Sequence, residues 1–222
     1  MLRYQKNFRR LAFGLAALAG FVDAIGFLKS GGLFVSFMSG NSTRLSVGIM
    51  HSATAALGAA ALIFLFVTGV VLNILIGERV RFAHRKVVAT AGVSILLIAA
   101  AIFQSLNIPS LTIGLLCMAM GASNTIFQRE GEVSIGVTYM TGTLVKLGNR
   151  LAEAMLGGNR TAWRPYLLLW LSLVCGGIIG TVVYAWSPTI CLWAAAGYAL
   201  LLLAFARHIT LMPEEAGDVP EG

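Results

Sequence analysis

GGLFVSFMSGNSTRLSVGIM, Gly31 to Met50, interrupts two hydrophobic spans, and the way it does so decides the fold. Its first part, Phe34-Val35-Ser36-Phe37-Met38, is β-branched and aromatic and reads as extended chain. That run meets a small hydroxyl residue and a glycine, Ser39-Gly40, where a helix can begin, with Asn41 and Ser42 as capping types. The same device returns in EVSIGVTYMTGTLVKLGNR, Glu132 to Arg150, where Val137-Thr138-Tyr139-Met140 leads into Thr141-Gly142 and Thr143 follows as the capping type. A basic residue stands four positions after each glycine, Arg44 and Lys146.

What surrounds these breaks is apolar. The 222 residues are 58% hydrophobic and 11% charged, with a mean hydropathy of +0.84, outside the range of soluble domains. The chain reads as an all-α integral membrane protein whose first partner is the lipid bilayer. A hydrocarbon core of about 30 Å takes roughly 20 apolar residues per helix, which predicts six transmembrane helices and leaves no room for a soluble catalytic domain. The net charge of +7 gathers at the ends of apolar runs, the pattern of topology determinants and headgroup contacts rather than of nucleic-acid binding.

The expected spans are 11–28, 53–77, 87–106, 110–127, 165–186 and 188–206. Arg3, Lys6, Arg9 and Arg10 precede the first, and Glu78 to Lys86, with Arg79, Arg81, Arg85 and Lys86, follows the second. By the positive-inside rule both flanks are cytoplasmic. The segment 31–50 then starts and ends on the far side, so it dips in and returns, and 133–150 is its counterpart from the cytoplasmic side. Both termini are expected in the cytoplasm, the membrane being the bacterial inner membrane, with a disordered tail over 210–222.

Glycines recur at nearly constant offsets: Gly20 with Gly121 (121 − 20 = 101), Gly40 with Gly142 (142 − 40 = 102) and Gly69 with Gly176 (176 − 69 = 107). The chain divides into a first repeat, 1–106, and a second, 107–209. Each repeat is span, break, span, span. Three crossings per half turn the halves over, which predicts two inverted three-helix repeats, each with a broken or re-entrant segment, the plan of many secondary transporters.

The chain resembles the YoaK family of bacterial inner-membrane proteins, a domain of unknown function. The resemblance rests on Gly20-Phe21-Val22-Asp23-Ala24, on Met38-Ser39-Gly40-Asn41, where the family pattern usually reads Met-Thr-Gly-Asn, and on Thr138-Tyr139-Met140-Thr141-Gly142-Thr143. It runs from Leu11 to about Arg207 and implies a polytopic membrane protein, with no substrate or reaction attached.

The candidate substrate-binding residues are Ser39, Gly40, Asn41, Arg44, Thr141, Gly142, Thr143 and Lys146, because a half-helix start offers unpaired N–H groups and partial positive charge to an anion. Their bland rivals are helix capping for the hydroxyl and amide residues and interfacial snorkelling for the two cations. Asp23, an acid inside a span, is the candidate proton-coupling residue or an ion-pair partner for Arg44, with its symmetry mate near Asn124. Cys117, Cys175 and Cys191 lack ligand spacing, as do His51, His84 and His208, so no metal and no cofactor are expected. The sequons at Asn41 and Asn159 fall in the membrane interior and on the cytoplasmic face. No P-loop, nucleophile elbow or acid pair occurs, and the chain is not expected to be an enzyme. Gly176-Gly177-Ile178-Ile179-Gly180 permits close helix contact, within the fold or in a homo-oligomer. Together these residues predict a small secondary transporter or permease for a compact, anionic small-molecule solute, proton-coupled through Asp23. The alternatives are a passive channel and a non-transporting membrane sensor or assembly protein.

Overall fold

Apolar helices packed on one another account for nearly all of the computed structural model, which describes residues 6–129, 132–133 and 135–211. Arg3, Glu130, Ser134 and residues 212–222 of the expected tail lie outside the described residues, while Thr210 and Leu211, expected in that tail, close the last helix. The helices are α1 (Lys6–Lys29), α2 (Met38–His51), α3 (Ala53–Glu78), α4 (Arg85–Ser105), α5 (Pro109–Ser123), α6 (Met140–Met155), α7 (Arg164–Trp186) and α8 (Pro188–Leu211). One 3₁₀ turn, Phe82–His84, precedes α4. Between α5 and α6 two short strands, β1 (Gln128–Arg129) and β2 (Glu132–Val133), pair antiparallel with Gln128 opposite Val133.

Local chemistry sets the boundaries. Pro109, Pro165 and Pro188 sit in the first turns of α5, α7 and α8, where a missing N–H costs nothing. Ser52 is extended and joins α2 to α3 as a hairpin: its N–H bonds Gly48 O while its hydroxyl accepts from Ala55 N. Asn107 takes the left-handed conformation at φ 59° to turn α4 into α5.

Five helices among the described residues are long and apolar enough to cross a membrane: α1, α3, Phe82–Ser105, α7 and α8. The protein is therefore a multi-pass integral membrane protein. The expected fourth span, 110–127, is instead the 15-residue α5, which at 1.5 Å per residue reaches about 23 Å, short of the hydrocarbon thickness. Side chains stop it. Ser123 Oγ and Asn124 Nδ2 both donate to Met120 O, and Thr125 Oγ1 donates to Ala122 O, so hydroxyl and amide groups compete for the carbonyls that another helical turn would need.

α3 reaches across to the same place. Asn73 Nδ2 lies 3.1 Å from Ala122 O, 2.8 Å from Thr125 Oγ1 and 3.4 Å from Ala89 O, tying α3 to α4 and to the end of α5. Interhelical hydrogen bonds in bilayers contribute little each, about 0.6 kcal/mol and at most about 1.7. Asn73→Leu is therefore expected to lower stability by about 1–2 kcal/mol, read from thermal unfolding in detergent.

The core lies on α1 and α5. Leu11, Leu15, Leu18, Val22 and Ile25 of α1 are buried with Leu116 and Met120 of α5, Leu97 of α4 and Leu192 of α8. α3 and α7, apolar all round, leave Phe64, Val67, Leu75, Ile178 and Val182 exposed, as a lipid-facing helix does. α1 packs on α7 and α5 on α3; α2 packs on α3 and α6 on α7; α4 meets α8, and α1 meets α5.

The closest approaches are made by glycine. A Cβ on Gly20 would collide with Leu173 O and one on Gly176 with Ala17 O; a Cβ on Gly121 would collide with Phe66 O and one on Gly69 with Met118 O. The residues facing these glycines keep the same spacing as the glycines themselves (118 − 17 = 101; 173 − 66 = 107). Gly180 meets Phe21 of α1 as well, so the Gly176 to Gly180 pattern is used inside the chain.

Candidate functional site

The turn after α1 is made where glycine alone is comfortable: Gly31 and Gly32 have φ of 70° and 110°. Gly32 N–H closes on Phe27 O at 2.8 Å, and the Ser30 hydroxyl accepts from Leu33 N at 2.9 Å. From there residues 33–37 run back along α1. The Val35 side chain lies against Gly26, and the Val35 and Ser36 N–H groups donate to Asp23 Oδ1 at 2.9 and 2.8 Å. α2 then leads away in the other direction: Asn41 bonds Phe34, and the Arg44 guanidinium lies beside Gly32. The arm folds back along α1 and α2 reverses it.

Asn41 is fully buried. Its Oδ1 accepts from Phe34 N at 3.0 Å and its Nδ2 donates to Phe34 O at 2.6 Å. Both halves of the amide are spent on the arm, so Asn41 acts as a latch. The capping roles expected of Asn41, Ser42 and Thr143 are not taken up. α2 and α6 begin at Met38 and Met140, after Phe37 and Tyr139, and neither start has a side-chain cap. Ser42 donates to Met38 O and Thr143 to Tyr139 O, one turn back within their own helices.

Gly40 and Gly142 lie in the first turns of their helices with ordinary helical φ. The positive-φ glycines among the described residues are Gly31, Gly32 and Gly157. A Cβ at Gly40 would strike the Phe37 ring, whereas Gly142 has open space. Ser39, Thr141 and Gly142 are exposed, and Thr143 is buried.

The second arm is pinned at the position matching the first. Thr138 Oγ1 donates to Asn124 Oδ1 at 3.1 Å, and both residues are buried. Asn124 answers to Asp23 and Thr138 to Ser36 (124 − 23 = 101; 138 − 36 = 102). An acid in one half is replaced by its amide in the other.

Asp23 opens on a groove of about 340 Å³ between α1 and α7, lined by Gly20, Phe27, Phe34, Gly177 and Thr181 among others. Among the described residues no ion pair joins Asp23 to Arg44; the carboxylate takes backbone N–H groups instead. Arg44 is exposed and its guanidinium stands 5.7 Å over the Phe34 ring. Lys146 is exposed on α6, and neither cation is among the groove-lining residues. The groove itself was not legible in the sequence. Asp23 stands out in the sequence as an acid in a span, and Phe27 and Phe34 as aromatics that either line a cavity or pack, but nothing there joins them to Thr181 of α7.

The sequence comparisons place the chain among membrane proteins. The family model described as "Protein of unknown function (DUF1275)" matches residues 11–205. A UPF0700 transmembrane protein of Rhizobium meliloti (strain 1021) is 36% identical over 212 residues, covering 90% of this chain and 89% of that protein. No solved structure matches the chain. A match over nearly the whole length, spanning both arms and all the apolar helices, makes the chain a member of the DUF1275 family, a family of membrane proteins of unknown function.

Proposed function

We propose that the protein is a small secondary transporter of the bacterial inner membrane, built as two inverted repeats, 1–106 and 107–209, and linked to protons through Asp23. One observation carries the reading. The same arm followed by a half-helix occurs in both halves, latched by Asp23 in one and by Asn124 with Thr138 in the other. Irregular backbone at membrane depth is tolerated where protein covers it or a wet cavity meets it, and paired discontinuous helices are where secondary transporters bind their solutes. The exchange of glycine contacts between α1–α7 and α5–α3 supports the repeat.

In this reading the six passages are α1, α3, α4, the short α5, α7 and α8. The termini are both cytoplasmic, and the segments around α2 and α6 re-enter. Reporter fusions after Arg81, Asn107 and Gly158 are then expected to read inside, outside and inside. An outside signal after Gly158 would mean that α6 crosses, and the inverted repeat would fall.

An acid at this depth is retained for a purpose more often than by accident. Titratable groups on the elements around Asp23 include Cys117 of α5, whose thiol donates to Leu62 O, Lys29 in the last turn of α1, Arg44 of α2, and Cys175 and Tyr184 of α7. An anionic solute would have to bind at Arg44 and Lys146, which stand outside the groove; the groove itself offers a negative wall.

The test is solute-driven proton movement in vesicles holding the purified full chain and a pH dye, challenged with small amines, carboxylates and neutral polyols in turn. A solute that moves protons in the native protein and not in Asp23→Asn supports the reading. A steady solute-independent conductance would instead identify a passive channel.

A further inference from the structure

We infer that the groove between α1 and α7 binds a small organic cation of the ammonium type, held by the Asp23 carboxylate, the Thr181 hydroxyl and the ring of Phe27. This deepens the transport reading above and rests on it for the passage of the solute, not for its binding.

The charge balance comes first. Asp23 is the one charged side chain among the residues lining the groove. It lies within α1 at the level where the first arm turns back, and the nearby guanidinium of Arg44 is engaged with Phe34 instead of with the carboxylate. A carboxylate offers about four acceptor positions. The Val35 and Ser36 N–H groups take two, both on Oδ1, the Ser36 hydroxyl takes a third, and what remains is left for the groove. An anion placed there would meet a like charge with no cation on the wall to offset it. A neutral apolar guest would cover the carboxylate without pairing it, which is costly in a low dielectric.

The other walls fit a cation that carries N–H groups. Thr181 Oγ1 gives its own hydrogen to Gly177 O at 2.9 Å, so its oxygen faces a ligand as an acceptor. Phe27 stands with its ring centroid 5.0 Å from that of Phe34, whose ring already carries the Arg44 guanidinium, so Phe27 is the aromatic wall, and aromatic rings attract ammonium groups within about 6 Å. A bare metal ion suits the wall less well, since it needs several oxygen or nitrogen ligands and the groove presents one carboxylate and one hydroxyl among apolar groups. At about 340 Å³ the space is at the small end of ligand pockets. Gly20 and Gly177 form its floor, where α1 and α7 approach most closely.

The experiment compares three probes of one size and different charge, propylammonium, propionate and propanol, on the detergent-purified full chain by calorimetric titration. Propylammonium is expected to bind saturably and the other two not to. Asp23→Asn is expected to weaken that binding roughly thirtyfold or more, as loss of one partner of a desolvated charge pair does. Phe27→Leu sits at the rim of the groove and leaves the arm latch untouched; it is expected to weaken binding about three- to fivefold, the share of one aromatic face.

Propionate binding in preference to propylammonium, or propylammonium binding unchanged in both variants, overturns the assignment, and so does the absence of propylammonium binding. The two readings fail separately. Propylammonium that binds saturably but drives no flux in vesicles leaves the cation site standing and removes transport. Flux of carboxylates without propylammonium binding does the reverse.

Discussion

Alanine at Gly20 or at Gly121 is expected to destabilise the protein by about 3 kcal/mol or more, while alanine at Gly197 leaves it unchanged or slightly more stable. At the first two positions the new methyl group would meet backbone, Leu173 O and Phe66 O, which cannot swing aside as a side-chain tip can. The helices would have to separate. α1 with α7 and α5 with α3 would then lose the close packing that replaces the hydrophobic effect as the source of helix association in lipid. At Gly197 nothing lies within reach of a Cβ, and an ordinary helix gains roughly 0.5–1 kcal/mol from alanine over glycine. The measurement is unfolding of the purified variants by heat or SDS. Because Gly20 and Gly121 occupy matching places, their losses should be similar. Equal stability of Gly20→Ala and Gly197→Ala would mean that the contact is not as close as described.

Those contacts were half visible in the sequence. Equal glycine spacing in the two halves picked out Gly20, Gly121, Gly69 and Gly176, yet spacing says nothing about partners. That Gly20 faces Leu173 while Gly121 faces Phe66 follows from a pairing between halves, in which α1 chooses α7 and α5 chooses α3. The break at 31–50 was legible because β-branched and aromatic residues followed by Ser39-Gly40 contradict a continuous helix.

Other features depend on contacts that no local pattern encodes. Asn41 looked like a cap and is a latch, because Phe34 comes back beside it only once the arm has turned. α5 looked long enough to cross because Thr125 to Phe127 are compatible with an apolar span. It stops at Ser123 because Ser123, Asn124 and Thr125 turn on its last carbonyls and Asn73 joins them from α3. Arg44 and Lys146 share a sequence offset that makes both candidates for holding an anion. Their helices present them on exposed faces instead, since the charge at the first half-helix goes to an aromatic ring. Asp23 is conspicuous as an acid in a span, and the glycine spacing points to Asn124 as its counterpart (124 − 23 = 101); what each residue holds is not written in that spacing.

That latch supports the second large effect. Asp23→Leu is expected to destabilise the protein by about 4 kcal/mol, because it leaves the N–H groups of the buried residues Val35 and Ser36 without their acceptor, at about 1–3 kcal/mol for each. Asp23→Asn keeps an oxygen where Oδ1 accepts both bonds, so its fold should survive with a loss of about 1 kcal/mol, the difference between a charged and a neutral acceptor. The contrast separates two roles that one residue combines: Leu removes the latch together with the charge, and Asn removes the charge alone. In the second half Asn124→Leu should cost less than Asp23→Leu, since Thr138 gives Asn124 Oδ1 a single bond from a rotatable hydroxyl. Hydrogen exchange at Val35 and Ser36 follows the latch directly. Their amides are expected to be slow in the native protein and in Asp23→Asn, and to exchange at least tenfold faster in Asp23→Leu as the arm lifts from α1. If Asp23→Leu kept both amides slow and its stability near that of Asp23→Asn, the arm would be held by Asn41 and the packing of Val35 on Gly26 alone, and the carboxylate would be present for its charge and not for the fold.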